Sequence, residues 1–213
     1  MTADKGLGRD SISVGVLAPI SDSAYGTTNW MFERWDAEQT EWVKRQSGLV
    51  APEASDFHAL NVNPYSVTEH HGNLITTAGW VRLLNLAIAS GSPQALSATA
   101  VRIGVGNSST AAAISQTDLS AASGSTNRFF QPVSGAGTLA TGDASATEKV
   151  SFAATFGIND GNFAWAEFGL DVGTPTVTGG TTVNALLLNR AVSNQGTKVV
   201  NQTWAATAAI NFT

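Results

Sequence analysis

The sequence contains no cysteine among its 213 residues. Disulfide bonds, thiolate metal ligands and cysteine nucleophiles are therefore excluded together. The first ten residues, MTADKGLGRD, lack the apolar core of a signal peptide, and no apolar run approaches the roughly 18 to 20 residues needed to span a bilayer. We therefore expect a soluble protein made in a cytoplasm, with no secretory export and no membrane partner.

Charge is also scarce, because Asp, Glu, Lys and Arg make up only 13% of the chain, against a usual share of about 25%. The net charge is −5 and Lys and Arg nowhere cluster, which removes the electrostatic basis for binding nucleic acid. A surface so poor in charge is covered by small polar residues, as in β-rich extracellular or virion proteins, or is partly hidden by partners.

The charges that exist are unevenly placed, since residues 1–60 hold 14 of the 27. This distribution predicts two parts: an N-terminal arm and aromatic helix over residues 1–60, and a main domain over residues 61–213. Residues 1–28 show little periodicity. They are expected to form either an arm laid on a neighbouring subunit or a disordered tail.

The stretch TTNWMFERWDAEQTEWVKRQSG predicts a helix from about Met31 to Gln46. Thr28 or Asn29 could cap its start, and Gly48 fits its end. Its apolar stripe packs on the main domain of the chain or, in the alternative interpretation, anchors a partner, since aromatic residues dominate interface hot spots. The candidate partner-binding residues are Trp30, Phe32, Trp35 and Trp42.

A second helix is predicted by TTAGWVRLLNLAIASG, with Thr76 or Thr77 at its start and Gly91-Ser92-Pro93 after its end. Its apolar residues recur at helical spacing and are expected to face the core. They are Trp80, Leu83, Leu84, Ala87 and Ile88.

From Thr99 onward the patterns favour short strands separated by turns rich in Gly, Thr and Pro. KVSFAATF places Val150, Phe152, Ala154 and Phe156 on one strand face. TWAATAAINF does the same for Trp204, Ala206, Ala208, Ile210 and Phe212. The predicted fold class is mainly β, an antiparallel β-sandwich with one packed helix plus the N-terminal arm and helix.

No motif in the chain predicts an enzyme. Gly104 and Gly106 in VRIGVGNSS lack the third glycine and the following helix of a dinucleotide site. His70 and His71 could share a metal only in a loop, and a polar loop without a metal is the favoured interpretation. We predict no catalytic residues, no cofactor and no metal. Glu167, a carboxylate among apolar neighbours, either faces outward or clasps turn backbone.

Four segments between Asn73 and Thr213 together carry a family resemblance. They are GNLITTAGWVRLLNLAI, RIGVGNSSTAAAISQTDLSA, FAWAEFGL and LLNRAVSNQGTKVVNQTWAATAAINFT. In this order they resemble a group of tailed-bacteriophage virion proteins. The resemblance implies a β-sandwich module without enzymatic activity, in which Gly104 and Gly106 shape a tight turn at the end of the sandwich.

The leading functional hypothesis is a capsid decoration or minor capsid protein of the virion, assembled in the host cytoplasm. Its expected partners are the major capsid protein, other virion proteins and its own sister subunits in a homo-oligomer. The alternative is a tail-fibre or receptor-binding module whose exposed loops, such as residues 134–146, contact the host surface.

Overall fold

A computed structural model describes residues 27–92, 95–135, 137–140, 148–173, 176–178, 181–183 and 186–212. The predicted arm over residues 1–26 and most of the loop over residues 134–146 lie outside the described residues. In chain order the elements are β1 (Thr27–Trp35), α1 (Ala37–Ser47), α2 (Ala54–Ala59), β2 (Ser66–His71), β3 (Leu74–Ile75), α3 (Thr77–Ile88), β4 (Val101–Gly106), β5 (Arg128–Pro132), β6 (Thr138–Ala140), β7 (Glu148–Phe156), β8 (Ala164–Val172), β9 (Thr176–Thr178), β10 (Thr181–Val183), β11 (Asn189–Thr197) and β12 (Thr203–Phe212).

Two five-stranded antiparallel sheets form the body of the protein. Sheet A has the strand order β2-β1-β12-β7-β6, and sheet B has the order β3-β11-β8-β4-β5. Strands β9 and β10 form a separate hairpin. The prediction of a mainly-β, antiparallel sandwich is confirmed.

The two sheets face each other through aromatic side chains. Phe168 of β8 lies edge-on to Trp30 of β1, with 4.9 Å between the ring centroids. Trp165, also on β8, contacts Phe156 of β7 and Trp204 of β12 with centroid separations of 4.7 and 4.9 Å. Edge-to-face packing at such distances is the preferred geometry of aromatic pairs, so these contacts fix how the sheets meet.

Strands β7 and β12 follow their predicted alternation. Phe152, Ala154 and Phe156 are buried on the inner side of sheet A, and so are Trp204, Ala206, Ala208 and Ile210 of β12. The side chain of Phe212 lies outside the described residues. The two strands pair in continuous antiparallel register, from Trp204 opposite Phe156 onward. Period-two alternation predicts both strands because their large apolar side chains lie on one face of the sheet.

The prediction of a helix over residues 31–46 is wrong in its first part. Residues 27–35 form strand β1, whose nine residues pair with β12 on one side and with β2 on the other. Trp30, Phe32 and Arg34 point between the sheets, whereas Trp35 points to the outer face. The aromatic spacing matched a helix, but strand pairing on both sides decided the local structure.

Helix α1 therefore begins later than predicted, after Asp36. The Asp36 side chain accepts the backbone N–H of Gln39 at 2.8 Å, while the Gln39 side chain accepts that of Asp36, which completes a capping box. The predicted end at Gly48 is confirmed, since Gly48 adopts the left-handed conformation with φ 73°.

The predicted boundary near residue 60 does not separate two structural units. Strand β1 lies inside sheet A, and its last residue belongs to a small second core on the outer face of that sheet. This core joins Trp35, Val43 of α1, Phe57 of α2 and Ala205 of β12. Residues 27–60 are therefore part of the sandwich and its outer layer.

Candidate interaction surfaces

Three of the four predicted partner-binding residues lie in the interior of the protein. Trp30 is 1% exposed, and Phe32 and Trp35 are fully buried. The indole Nε1 of Trp35 donates to the carbonyl of Val62 at 2.9 Å. In the folded chain these three side chains pack on the protein itself, which is the first of the two interpretations. Trp42 differs, because 39% of it is exposed.

Trp42 lines a surface pocket of about 380 Å³ between α1 and the segment after α2. Leu60 and Val62 form the apolar wall of the pocket, and Glu38 and Gln39 form part of its rim. An indole ring with an exposed edge beside apolar side chains has the composition of an interface hot spot. We name this region the Trp42 pocket.

A second apolar surface lies on α3, whose start agrees with the prediction. The helix ends at Ile88, with Ala89 in the left-handed conformation, two residues before the predicted Gly91. Thr76 caps the helix by accepting the N–H of Gly79 at 2.9 Å, and its hydroxyl donates to the carbonyl of Leu187 at 2.6 Å. These two hydrogen bonds tie the first turn of α3 to the chain just before β11.

Gly79 brings α3 into direct contact with the main-chain atoms of Leu188. A Cβ atom on Gly79 would lie 2.1 Å from the carbonyl oxygen of Leu188, which is far inside contact distance. Only glycine permits this approach. The side of α3 that carries Gly79 is consequently docked on sheet B, and Leu83 packs against the main core.

The opposite side of α3 faces solvent, so the prediction that Leu84, Ala87 and Ile88 face the core is wrong. Val81 is 51% exposed, Leu84 61% and Ile88 72%. The reason is that the helix docks through Gly79 and Leu83, which lie on another side. We use the name α3 face for the surface formed by Val81, Leu84, Ile88 and the adjoining Ile114. Ile114 is 53% exposed.

Ile114 joins this face because its carbonyl accepts the backbone N–H of Thr77, the first residue of α3, at 2.9 Å. Ile114 belongs to the irregular segment 107–121 between β4 and β5. Such a segment carries few regular hydrogen bonds of its own, so other groups must hold it in place.

A buried ion pair holds that segment. Glu167 of β8 and Arg190 of β11 are fully or almost fully buried, and Arg190 Nε lies 2.6 Å from Glu167 Oε2. The same carboxylate accepts the backbone N–H groups of Ser120 at 2.9 Å and Ala121 at 2.6 Å. The clasp interpretation of Glu167 is confirmed.

Arg190 extends the clasp to the other end of the segment. Its Nη1 donates to the side-chain oxygen of Gln116 at 3.0 Å, and its Nη2 donates to the carbonyl of Thr110 at 2.8 Å. The charged pair thus reaches residues 110, 116, 120 and 121 from two neighbouring strands. Ile114 lies within the segment that is fixed in this way.

Gly104 and Gly106 serve close packing inside strand β4 and do not shape a turn. A Cβ on Gly104 would lie 2.5 Å from the ring of Phe130, and one on Gly106 would lie 2.5 Å from Glu167 Oε1. Gly106 therefore leaves the space that the Glu167 carboxylate occupies. The expectation that these glycines form a tight turn is wrong.

The histidines are dispersed. His70 and His71 lie on strand β2 rather than in a loop; His70 contacts the ring of Phe168 and His71 lies 3.4 Å from Glu69. His58 contacts Glu33 at 2.9 Å. Among the residues that the structure describes, no three His, Asp or Glu side chains lie together as a metal site.

Two basic groups are buried with neutral hydrogen-bond partners; the charge of Asp160 acts on Lys198 and opposes the effect of burial on its pKa. Lys198 donates from Nζ to the carbonyl of Gly157 at 2.7 Å and to Asn162 Oδ1 at 2.8 Å, and burial lowers its pKa to about 8. Arg34 donates to Thr68 and Gln195, and burial also lowers its pKa. Both groups tie turns and edges of the two sheets together.

Comparison with protein-family models, with curated proteins and with solved structures finds no match to this chain. Within the described part of the chain, no helix has the length and apolar character required to cross a membrane. The surfaces described above are therefore interpreted from their own chemistry.

Proposed function

We propose that this chain is a structural protein of a tailed-bacteriophage virion, a capsid decoration or minor capsid protein that binds the capsid surface and its sister subunits. The observation that carries the proposal is the α3 face, an apolar and uncharged surface held in shape by the buried clasp. Large exposed apolar patches on small proteins often mark sites of protein association.

Three further features support this role. The chain has only 13% charged residues, which suits a surface that becomes covered in an assembly. The Trp42 pocket offers a second apolar contact. The four segments between Asn73 and Thr213 resemble virion proteins, and they include both α3 and the segment that carries Ile114.

The test is quantitative mass spectrometry of purified virions of the phage whose genome encodes this chain. A capsid role predicts hundreds of copies in each particle, in a fixed ratio to the major capsid protein. Absence of the chain from washed virions would contradict the proposal.

The alternative role, a tail-fibre or receptor-binding module, is favoured by a different observation. The segment 107–121 is an exposed loop anchored on a rigid sandwich, which is the usual construction of a recognition loop. A handful of copies in each virion, together with binding of the purified chain to host cells, would support this role over the capsid role.

A truncation that tests the N-terminal arm must respect the fold. Because β1 lies inside sheet A, a deletion that extends beyond residue 26 would remove part of the core. Virions carrying the chain without residues 1–26 should show reduced incorporation if the arm holds the sandwich to its neighbours. Unchanged incorporation would reject a role for the arm and leave attachment to the α3 face.

A further inference from the structure

We propose that the α3 face pairs two copies of this chain, with the α3 helices packed side by side about a two-fold axis. The inference rests on the proposed structural function, because it names the partner that this surface takes. A two-fold interface uses the same patch on both copies, so the patch must be complementary to itself.

The spacing of the exposed residues on α3 is that of paired helices. Thr77, Val81, Leu84 and Ile88 follow one another at intervals of four, three and four residues and are all exposed. From Val81 to Ile88 the spacing averages 3.5 residues, the repeat that forms a seam along which two helices interdigitate. β-Branched Val81 and Ile88 alternate with Leu84, a combination that favours association of two helices.

Among the described residues, none covers this seam. Gly79 and Leu83 dock α3 on the rest of the protein from another side, and that contact is already as close as backbone atoms permit. A helix that is apolar on all sides is normally buried on all sides. The seam of α3 is therefore left exposed by the part of the chain that the structure describes and is available to another molecule.

Charge favours an identical copy as that molecule. Residues 72–117, which contain α3 and Ile114, include no Asp, Glu or Lys, and only two arginines, Arg82 and Arg102. A strongly basic partner would find no acidic side chain to pair with in this segment. Two copies with a net charge of −5 each can meet at this neutral face because their acidic residues lie elsewhere.

The area of the face sets the expected strength of the pairing. Its four side chains are each half to three-quarters exposed and present on the order of 300 Å² of apolar surface. A standard interface buries about 800 Å² on each partner, so the surrounding parts of α3 and of segment 107–113 must contribute the remainder. We therefore expect a dimer with a dissociation constant of about 1–100 µM.

The experiment is sedimentation velocity of the purified full chain over about 1–300 µM. The wild-type chain should shift from monomer to dimer within this range. Leu84→Glu/Ile88→Glu should weaken the dimer more than about 30-fold, because it places carboxylates on both sides of the seam. The matched control is Val199→Glu/Val200→Glu, which alters two similarly exposed valines beyond the far end of β11 and should dimerise like the wild type.

A charge exchange tests self-pairing directly. Leu84→Lys/Ile88→Lys should also be monomeric alone, and an equimolar mixture of the Lys and Glu variants should recover the dimer. Thermal unfolding of each variant establishes that it is folded. A wild-type chain that stays monomeric at about 300 µM, or a folded Glu variant that dimerises as well as wild type, would overturn the inference.

The two proposals can fail independently. A chain that is abundant in virions but monomeric in solution with the wild-type face would retain the virion role and reject the pairing. A chain that dimerises through α3 but is absent from virions would retain the pairing and reject the virion role.

Discussion

Glu167 and Arg190 form an ion pair with 2.6 Å between Oε2 and Nε, and between them they bind segment 107–121 at four residues. The pair lies between adjacent strands β8 and β11, so it connects the rigid sandwich to the loop that carries Ile114. The shape of the α3 face therefore depends on a charged pair that is itself inaccessible to solvent.

The substitution Glu167→Gln should lower the free energy of unfolding by about 3 kcal/mol, because it leaves the buried guanidinium of Arg190 without its counter-charge. Denaturant unfolding followed by tryptophan fluorescence measures the change. The matched control is Glu41→Gln, which removes the exposed ion pair between Glu41 and Lys44 on α1 and should cost about 1 kcal/mol or less. Equal losses in the two variants would contradict the clasp.

The substitution Gly79→Ala should destabilise the protein by about 2 kcal/mol or more, because the new methyl group would overlap the carbonyl of Leu188 and displace α3 from its contact with the main chain there. Hydrogen exchange should then increase in α3 ahead of the sheets. Gly135→Ala serves as the control, since a Cβ there meets nothing within 4 Å, and its effect should stay within about 0.5 kcal/mol. An unchanged stability of Gly79→Ala would show that α3 is not held this closely.

The stability lost on substituting each of the four predicted partner-binding aromatic residues should depend on how deeply that residue is buried. Trp35→Ala should cost about 3–5 kcal/mol, since Trp35 is fully buried against Phe57. Trp42→Ala should cost about 1 kcal/mol or less, because Trp42 is 39% exposed at its pocket. Thermal or denaturant unfolding of the two variants measures these changes. Similar losses of unfolding free energy in both variants would contradict the assignment of Trp42 to the surface.

Lys198 should make stability depend on pH in the alkaline range. Its folded pKa of about 8 lies below the ordinary value of 10.5, so between these pH values the unfolded chain binds a proton that the folded chain does not. Stability then rises with pH from about 8 to 10.5, and the protonated amine is disfavoured in the fold below pH 8.

The measurement is the difference in unfolding free energy between wild type and Lys198→Met across pH 7–10.5. Taking this difference cancels the titration of the groups that both chains share. The difference should move in favour of wild type by up to about 3 kcal/mol as pH rises. A flat difference, or one that moves the other way, would mean that Lys198 is solvated in the folded protein.

The sequence was most informative where one residue's neighbours along the chain decide its structure. The alternation in β7 and β12 predicted both strands and their buried faces, and Thr76 predicted the start of α3. These features depend on period-two burial and on a local cap, so they need no knowledge of distant residues.

The sequence was least informative where a distant partner decides the outcome. Residues 27–35 match a helical spacing, yet pairing with β12, about 175 residues away, makes them a strand. The exposed seam of α3 could not be foreseen, because only the contact of Gly79 with Leu188 shows which side of the helix is docked. Arg190, the partner of Glu167, carries no signal in the sequence, whereas Leu84 and Ile88 are recognisable at helical spacing but are predicted to face the core.

The most direct measurement of the central claim is hydroxyl-radical footprinting of the chain in assembled virions and as a dilute monomer. We predict that Leu84, Ile88 and Ile114 are labelled in the monomer and strongly protected in the virion, whereas Val200 is labelled equally in both. Equal labelling of the α3 face in the two states would contradict the claim that this surface attaches the protein to its neighbours.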